Sequence, residues 1–415
     1  MQDVPASLKK SSDQTPLLMT PGPVPVPPQV LEALSRPIEH HRTVDFQKCL
    51  TRVLEKLPKI FETAEPAFLH TSTGSGGMES LLVNCLSPGQ TVACVVSGKF
   101  GERWSEMASA YGANVERFNV PWGESVDLRK FEGWLTGLSA KPHIILSQAC
   151  ETSTGILHPI KQMAKTIRVN LPEALFLVDG ITALGAVKLP MDAWDLDGIV
   201  GGSQKAFMLP TGLSFVSFSQ RAWRKIPDAS CPRFYFDIRD EKKANGRNET
   251  NFSSSVPLIR ALDAVLTSVD SFSGFTEIHK RISALSRATR FGVRAMGLEI
   301  LTAHGSFSSP TLTAILAPPG IDGNEWRNRL EKNHGLVLMG GQDSLKGQII
   351  RIGHMGYISD EDLIRALSAI AVSLNEMKPG TVSDEKMKTG IEKARRILTQ
   401  APMPWRITSP TSERK

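Results

Sequence analysis

The stretch Asp197-Gly198-Ile199-Val200-Gly201-Gly202-Ser203-Gln204-Lys205 is a short apolar run that leads through two glycines to a lysine. The apolar run predicts a buried strand, and Lys205 follows its carboxyl end. A lysine fixed at the end of a buried strand can lose its proton and form a Schiff base with a carbonyl group. The stretch therefore predicts a reactive lysine at the edge of a sheet.

A second apolar run, residues 174–178, ends in Asp179. An aspartate at the end of a neighbouring strand can keep a pyridinium nitrogen protonated, so that the ring withdraws electrons from a substrate carbon. Lys205 and Asp179 together indicate the chemistry of pyridoxal phosphate. Each residue alone has a simpler interpretation, because most lysines lie at the surface and an aspartate before glycine is commonly a turn residue. The hypothesis therefore depends on finding the rest of a cofactor site.

Short β-branched runs alternate with amphipathic segments from residue 67 to residue 219. This alternation predicts an α/β fold with a mostly parallel sheet and helices on both of its faces. Ligands of such sheets bind at the carboxyl ends of the strands, where Asp179 and Lys205 lie. The predicted strands are residues 67–71, 91–96, 142–146, 174–178, 197–200 and 213–218.

The chain has 415 residues and 41% hydrophobic content, which is more than one core usually supports, so two domains are expected. Residues 1–28 are predicted to be an N-terminal arm that crosses a surface or another subunit, because its second half is rich in proline. Residues 29–270 form the predicted large domain, and residues 271–377 form a smaller α/β domain. Residues 378–415 are predicted to be a C-terminal extension with a mobile end.

Composition excludes several classes of protein. The net charge is +6, but lysine and arginine are spread along the chain and are not interleaved with aromatic residues, so no nucleic-acid partner is predicted. No apolar segment approaches the roughly 20 residues of a membrane helix, and the N-terminus lacks an apolar signal core. A cytoplasmic protein without a membrane partner is expected. The five cysteines are scattered without CxxC spacing, so no disulfide framework or metal site is predicted.

A glycine-rich turn, Ser72-Thr73-Gly74-Ser75-Gly76-Gly77, lies between a predicted strand and a predicted helix. Such a turn points backbone N–H groups and hydroxyls at an anion, which suits a phosphate. The turn is not a dinucleotide fingerprint, because Glu79 stands where GxGxxG requires glycine, and the chain contains no GxxxxGK[ST] motif. An ordinary tight turn is the alternative.

Two further segments fit a cofactor and substrate site. The hydroxyl-rich segment Glu151-Thr152-Ser153-Thr154-Gly155 follows a predicted strand and could contact a cofactor, although an ordinary turn stabilised by hydroxyls has the same composition. Arg351 lies inside the apolar run Ile350-Arg351-Ile352, where an unpaired charge is costly. It therefore requires an anionic partner, which is either a substrate carboxylate or a structural salt bridge.

The order of these motifs resembles that of class V aminotransferases, and most closely the alanine–glyoxylate and serine–glyoxylate group, some relatives of which carry a soluble-hydrogenase-subunit name. The resemblance covers residues 17 to 375 and implies the fold type I of pyridoxal-phosphate transferases, with a seven-stranded sheet. The motifs that carry it are Pro21-Gly22-Pro23, His41-Arg42, residues 73–79, residues 98–103, residues 151–155, residues 178–180 and residues 202–205.

The resemblance also implies roles for individual residues. Lys205 would form the internal aldimine, and Asp179 would pair with the pyridine nitrogen. Phe100 falls where the family often places a tryptophan that stacks on the cofactor, so a weaker stack is expected here. The remaining residues implied to bind the cofactor are Thr73, Gly74, Ser75 and Gln204 at its phosphate and Ser153 at the cofactor face opposite or beside Lys205.

Substrate and partner contacts follow from the same resemblance. Arg351 would bind the substrate carboxylate, with Gly22 and Arg42 as further substrate residues. The His41-Arg42 pair could clamp a second phosphate, but it could equally cap a helix or pair with acids. Family members are homodimers in which the partner completes the phosphate site, and the corresponding segment here, residues 250–257, offers Thr250, Ser253 and Ser255. Phe252 and Ser255 depart from the Tyr and Thr that are common there.

The implied reaction is transamination of a small amino acid, alanine or serine, with a 2-oxo acid such as glyoxylate or pyruvate. Lys205 would act as the general base that moves the proton from the substrate α-carbon to the cofactor carbon. Three alternatives are phosphoserine transamination, cysteine desulfuration and a non-catalytic binding subunit. Desulfuration requires a reactive thiol in the later half of the chain, and no cysteine follows Cys231. A non-catalytic subunit predicts a damaged site, whereas Lys205 and Asp179 are both present.

Overall fold

The computed structural model describes residues 16–272, 274–302 and 307–400. The predictions for residues 1–15 and 401–415 lie outside the described residues. The elements up to residue 270 are β1 (Leu17–Leu18), α1 (Pro28–Ser35), α2 (Val44–Phe61), β2 (Ala67–His70), α3 (Gly74–Cys85), β3 (Thr91–Val96), α4 (Lys99–Ala110), β4 (Asn114–Asn119), α5 (Leu128–Thr136), β5 (Ile144–Gln148), β6 (Cys150–Glu151), β7 (Ile156–Leu157), α6 (Ile160–Asn170), β8 (Leu175–Asp179), β9 (Gly198–Gly202), β10 (Ser214–Phe218), α7 (Gln220–Lys225), α8 (Ile238–Asn245) and α9 (Val256–Asp270).

A seven-stranded sheet in the order β2-β10-β9-β8-β5-β3-β4 forms the centre of this part of the chain. Strands β9, β8, β5, β3 and β4 are parallel, whereas β10 runs antiparallel to both of its neighbours. Alternate side chains enter two separate cores, with Ile145 and Phe176 on one face and Ile144 and Leu175 on the other. Both faces are therefore covered, which explains why the inner strands are continuous apolar runs. The predicted α/β fold with a mostly parallel sheet is confirmed.

The sequence pattern predicted only six of the seven strands. The missing strand, β4, lies at the edge of the sheet, and its sequence Asn-Val-Glu-Arg-Phe-Asn is mostly exposed. An edge strand that faces solvent carries charged side chains, which protect it from pairing with another chain. It therefore lacks the apolar run by which the inner strands were recognised.

A second unit follows, and its elements are α10 (Phe275–Ala295), β11 (Leu312–Leu316), α11 (Gly323–His334), β12 (Leu336–Val337), β13 (Met339–Gly340), β14 (Ile349–Gly353), α12 (Asp360–Met377) and α13 (Asp384–Leu398). Strands β11, β14 and β13 form an antiparallel sheet in that order. Helix α13 lies in the predicted C-terminal extension, yet its Ala394 and Leu398 are buried in the same core as α10 and α12. Packed structure therefore continues beyond residue 377.

The proline-rich arm runs along the second unit toward the carboxyl edge of the large sheet. Strand β1 pairs in parallel with β12, and the Gly353 N–H donates to the Met19 carbonyl over 2.7 Å. Further along, the Tyr357 N–H donates to the Pro25 carbonyl over 3.0 Å. The arm is therefore held by backbone hydrogen bonds on both sides of Gly22.

Candidate active site

Lys205 and Asp179 lie at the carboxyl ends of adjacent strands, as their positions in the sequence predict. Asp179 is the last residue of β8 and pairs in register with Val200 of β9, the strand that Lys205 follows. The side chains are buried, with 7% of Lys205 and 4% of Asp179 exposed. Burial lowers the pKa of Lys205 to about 8, although the opposite charge of Asp179 partly offsets this effect. A much larger fraction of the Lys205 amine is thus neutral near pH 7 than in an ordinary lysine.

Burial also acts on the Asp179 carboxyl, and it raises the pKa to about 7. The Ile181 N–H, which donates to Asp179 Oδ1 over 2.9 Å, and the charge of Lys205 act in the opposite direction. A further cation beside this carboxyl group would stabilise its charged form and lower its pKa. A protonated pyridine nitrogen is a cation of this kind.

The arm brings Gly22 to Lys205. The Lys205 amine donates to the Pro21 carbonyl, and Gly22 has a φ of +130°, which side chains rarely adopt. A Cβ atom at this position would lie 2.4 Å from Lys205 Nζ. Glycine is therefore needed both for the backbone conformation and for the space that the amine occupies.

The glycine-rich turn forms the N-terminus of α3, where Thr73 is the capping residue. The Thr73 side chain makes no capping hydrogen bond, so the first N–H groups of the helix stay available to an anion. Gly74 packs against Ile181, because a Cβ atom there would lie 2.7 Å from the Ile181 side chain. The buried amide oxygen of Gln204 has no hydrogen-bond partner among the described residues. Gly202 packs against both the Gln204 amide and the Ile181 side chain. The glycine-rich turn and Gln204 therefore both lie close to Ile181.

Glu151 is a residue of the site that the sequence did not single out. It is fully buried, and its carboxylate accepts from the Ser153 hydroxyl over 2.6 Å and from the Phe100 and Gly101 N–H groups over 3.2 Å each. Burial raises the pKa of this carboxyl group, while these hydrogen bonds lower it. Glu151 therefore joins the hydroxyl-rich segment to the N-terminus of α4, which brings Phe100 and Ser153 together. The only signal in the sequence is an acid three residues after the end of the buried strand β5.

Arg351 lies in β14 with 3% of its surface exposed. Its Nε donates to the Gly340 carbonyl over 2.9 Å and its Nη1 to the Thr152 carbonyl over 2.8 Å. No carboxylate of the described ranges forms an ion pair with it, so the structural salt bridge left open by the sequence is not found. Burial lowers the pKa of Arg351 to about 10, and its charge in turn lowers the pKa of Lys205. A buried cation that forms no ion pair with a described carboxylate therefore lies close to the lysine.

Three predicted residues show no hydrogen bond or ion pair with those around Lys205 in the part of the chain that the structure describes. Arg42 forms an ion pair with Glu249 at the surface, which is one of the two interpretations that the sequence left open. Ser253 is exposed, and Ser255 precedes α9 without a side-chain capping bond.

The described ranges contain no group of three or more His, Cys, Asp or Glu side chains that could hold a metal. No helix in them is long and apolar enough to cross a membrane.

The arrangement fits pyridoxal phosphate. A buried amine with a lowered pKa, a buried carboxyl at the neighbouring strand end and an open helix N-terminus correspond to the aldehyde, the pyridine nitrogen and the phosphate of this cofactor. When bound, the cofactor supplies an electron sink for the substrate carbanion. The protein supplies the amine, the counter-charge and the anion site.

Comparison with known proteins leads to the same family. Residues 18–363 match the model of the family described as aminotransferase class-V. The chain is 36% identical to a soluble hydrogenase small subunit of Synechococcus sp. (strain PCC 6716), over 93% of this chain and 99% of that one. It is 33% identical to the L-aspartate–glyoxylate aminotransferase of Paracoccus denitrificans, over 87% and 91%.

A solved structure shares the fold along most of the chain. The ureidoglycine–glyoxylate aminotransferase of Bacillus subtilis has a TM-score of 0.85 and 27% identity, over 92% of this chain and 98% of that one. The chain therefore belongs to the class-V aminotransferase family, and it is an aminotransferase that uses pyridoxal phosphate.

Proposed function

We propose that this aminotransferase moves the amino group of a small amino acid, alanine or serine, to a 2-oxo acid such as glyoxylate or pyruvate. The observation that carries the proposal is Arg351, a buried cation near Lys205 that forms no ion pair with any described carboxylate. A guanidinium with two of its N–H groups held by backbone carbonyls is fixed in orientation and can bind a carboxylate with the others. Amino acids and 2-oxo acids share this carboxylate.

The residues of the site divide the work of the reaction. The Lys205 amine would link to the cofactor and, once released by the amino acid, would accept the proton of the substrate α-carbon. The Asp179 carboxylate keeps the pyridine nitrogen charged. Phe100 and Ser153, held together by Glu151, would contact the cofactor ring, and the α3 N-terminus with Gln204 would hold the phosphate.

The choice of glyoxylate and of a small donor rests on two supports. Glyoxylate occurs in the names of both aminotransferases described above, whereas their donors differ. A phosphoserine substrate would need a cation for its phosphate, and the candidate Arg42 is already paired with Glu249.

Cysteine desulfuration lacks a nucleophile, because all five cysteines are buried. Burial raises the pKa of the Cys231 thiol, the last of them, which keeps it protonated.

A substrate matrix tests the proposal. Purified enzyme is assayed with alanine, serine, aspartate and phosphoserine, each against glyoxylate, pyruvate and 2-oxoglutarate, and kcat/KM is compared. We expect the highest values for alanine or serine with glyoxylate or pyruvate. A preference for phosphoserine with 2-oxoglutarate contradicts the proposal, and so does the absence of turnover with both alanine and serine.

We also propose that the enzyme is a cytoplasmic homodimer in which residues 250–255 of one copy approach the phosphate site of the other. An exposed aromatic cluster supports this proposal: Phe234 is 81% exposed, and Phe252 stacks on Tyr235 with 4.8 Å between ring centroids. The Tyr235 hydroxyl donates over 3.3 Å to the carbonyl of Thr71, the residue directly before the glycine-rich turn. Exposed aromatic side chains beside a ligand site favour a protein–protein contact.

Light scattering of the wild type and of Phe234→Ser tests the assembly. We expect a dimer for the wild type and a shift toward monomer for the variant, because the exposed ring no longer gains from burial in the interface. Val169→Ser, which removes another exposed apolar side chain, is the matched control. A monomeric wild-type enzyme with full activity would rule the proposal out.

A further inference from the structure

Arg103 lies on α4, one turn after Phe100, and it faces the N-terminus of α3. Its Nη1 donates to the Ser75 hydroxyl over 3.2 Å, and its guanidinium carbon lies 4.9 Å from the centroid of the Phe100 ring. The side chain is half-buried. None of the carboxylates in residues 16–272, 274–302 and 307–400 forms an ion pair with it.

This position is unfavourable for a cation unless an anion is also present. The N-terminus of α3 carries a partial positive charge, and its first N–H groups have no side-chain cap. Arg103 adds a full positive charge within hydrogen-bonding distance of Ser75, which belongs to the first turn of that helix. Like charges this close repel each other in a partly buried site. A dianion between them would remove the repulsion and accept hydrogen bonds from both.

The charge of Arg103 also reaches the cofactor site, because it lowers the pKa of Asp179. Arg103 is therefore close enough to the carboxyl at the end of β8 to act on it electrostatically. Arginine suits this place better than lysine, since its planar guanidinium can cover an aromatic ring and still donate from its edge.

We propose that Arg103 is a cofactor-binding residue, which donates from α4 to the phosphate of pyridoxal phosphate and at the same time positions the Phe100 ring. The inference rests on the proposed place of the phosphate at the α3 N-terminus, and it does not depend on which amino acid is the donor. It assigns the phosphate a cation from within the same chain, beside the N–H groups and hydroxyls of the turn.

The test compares two ligands that differ only in the phosphate. Cofactor is removed from the full-length wild type and from Arg103→Met and Arg103→Gln, and the Kd values of pyridoxal phosphate and of pyridoxal are measured by protein fluorescence. Loss of a charge-assisted hydrogen bond is expected to raise the Kd of pyridoxal phosphate about 10- to 100-fold and to leave that of pyridoxal within about twofold. Arg103→Lys should restore part of the affinity for pyridoxal phosphate.

Arg117→Met is the matched control, because it removes an exposed arginine from the edge strand β4. Two outcomes overturn the proposal: equal losses for both ligands, which assign Arg103 only to the support of Phe100, and no loss for either. Two neutral variants and the lysine variant are compared by thermal melting, so that a folding defect in one does not decide the result. No amino acid enters the measurement, so its failure is distinguishable from failure of the proposed reaction.

Discussion

Lys205→Ala is expected to abolish transamination, with a fall in turnover of at least about 10³-fold. The substitution removes the amine that links to the cofactor and the base that takes the substrate proton, and a positioned base alone contributes about 10²- to 10⁴-fold. Arg351 cannot take over either function, because it stays protonated at neutral pH even with its pKa lowered to about 10. Turnover with alanine and glyoxylate is the primary measurement.

A second measurement separates loss of the covalent link from loss of binding. Borohydride reduction followed by mass spectrometry should attach the cofactor to the Lys205 peptide of the wild type and to no peptide of the variant. The variant should still bind the cofactor non-covalently, since the α3 N-terminus is unchanged. Lys161→Ala, on the exposed face of α6, is the control and should behave as the wild type does. Full turnover of Lys205→Ala would refute the role of this lysine.

The sequence predicted most accurately the positions of the residues that lie at the ends of inner strands. Asp179 and Lys205 each follow an apolar run that is buried on both faces, so the run itself marks where the carboxyl edge of the sheet lies. The glycine-rich turn was recognisable for a similar reason, because it stands between a buried strand and a helix. The local sequence pattern was therefore sufficient to locate those residues whose position depends only on where a strand of the sheet ends.

The features that the sequence did not predict depend on contacts between distant segments. Proline content showed that the arm is not helical, but its path to Lys205 follows from backbone hydrogen bonds with Gly353 and Tyr357. The buried carboxylate of Glu151 resembles an ordinary turn residue until the N–H groups of α4 are seen around it. For Arg42, both interpretations were compatible with the sequence, and the pair with Glu249 became visible only in the fold.

Arg351→Met is expected to lower kcat/KM for amino acids and 2-oxo acids by about 10²- to 10³-fold, mainly through KM. Removing one partner of a buried, hydrogen-bonded charge pair costs about 2–5 kcal/mol, or about 30- to 4,000-fold, and the expected loss lies within these limits. The substitution also leaves the Gly340 and Thr152 carbonyls without the N–H groups that they accept from in the wild type. A loss of stability is therefore expected beside the kinetic effect, and the two must be separated.

Ethylamine separates them, because it is alanine without the carboxylate. If Arg351 binds the substrate carboxylate, the single-turnover reaction of the bound cofactor with alanine slows greatly in Arg351→Met, whereas the slow reaction with ethylamine keeps its wild-type rate. If Arg351 only holds β14 against the Thr152 segment, the site is distorted for both amines and both rates fall together. Arg351→Lys refines the comparison, since it keeps a positive charge but cannot donate to two carbonyls and a carboxylate in one plane. We expect it to recover only part of the alanine rate, because orientation of the carboxylate, and not charge alone, places the α-proton toward Lys205.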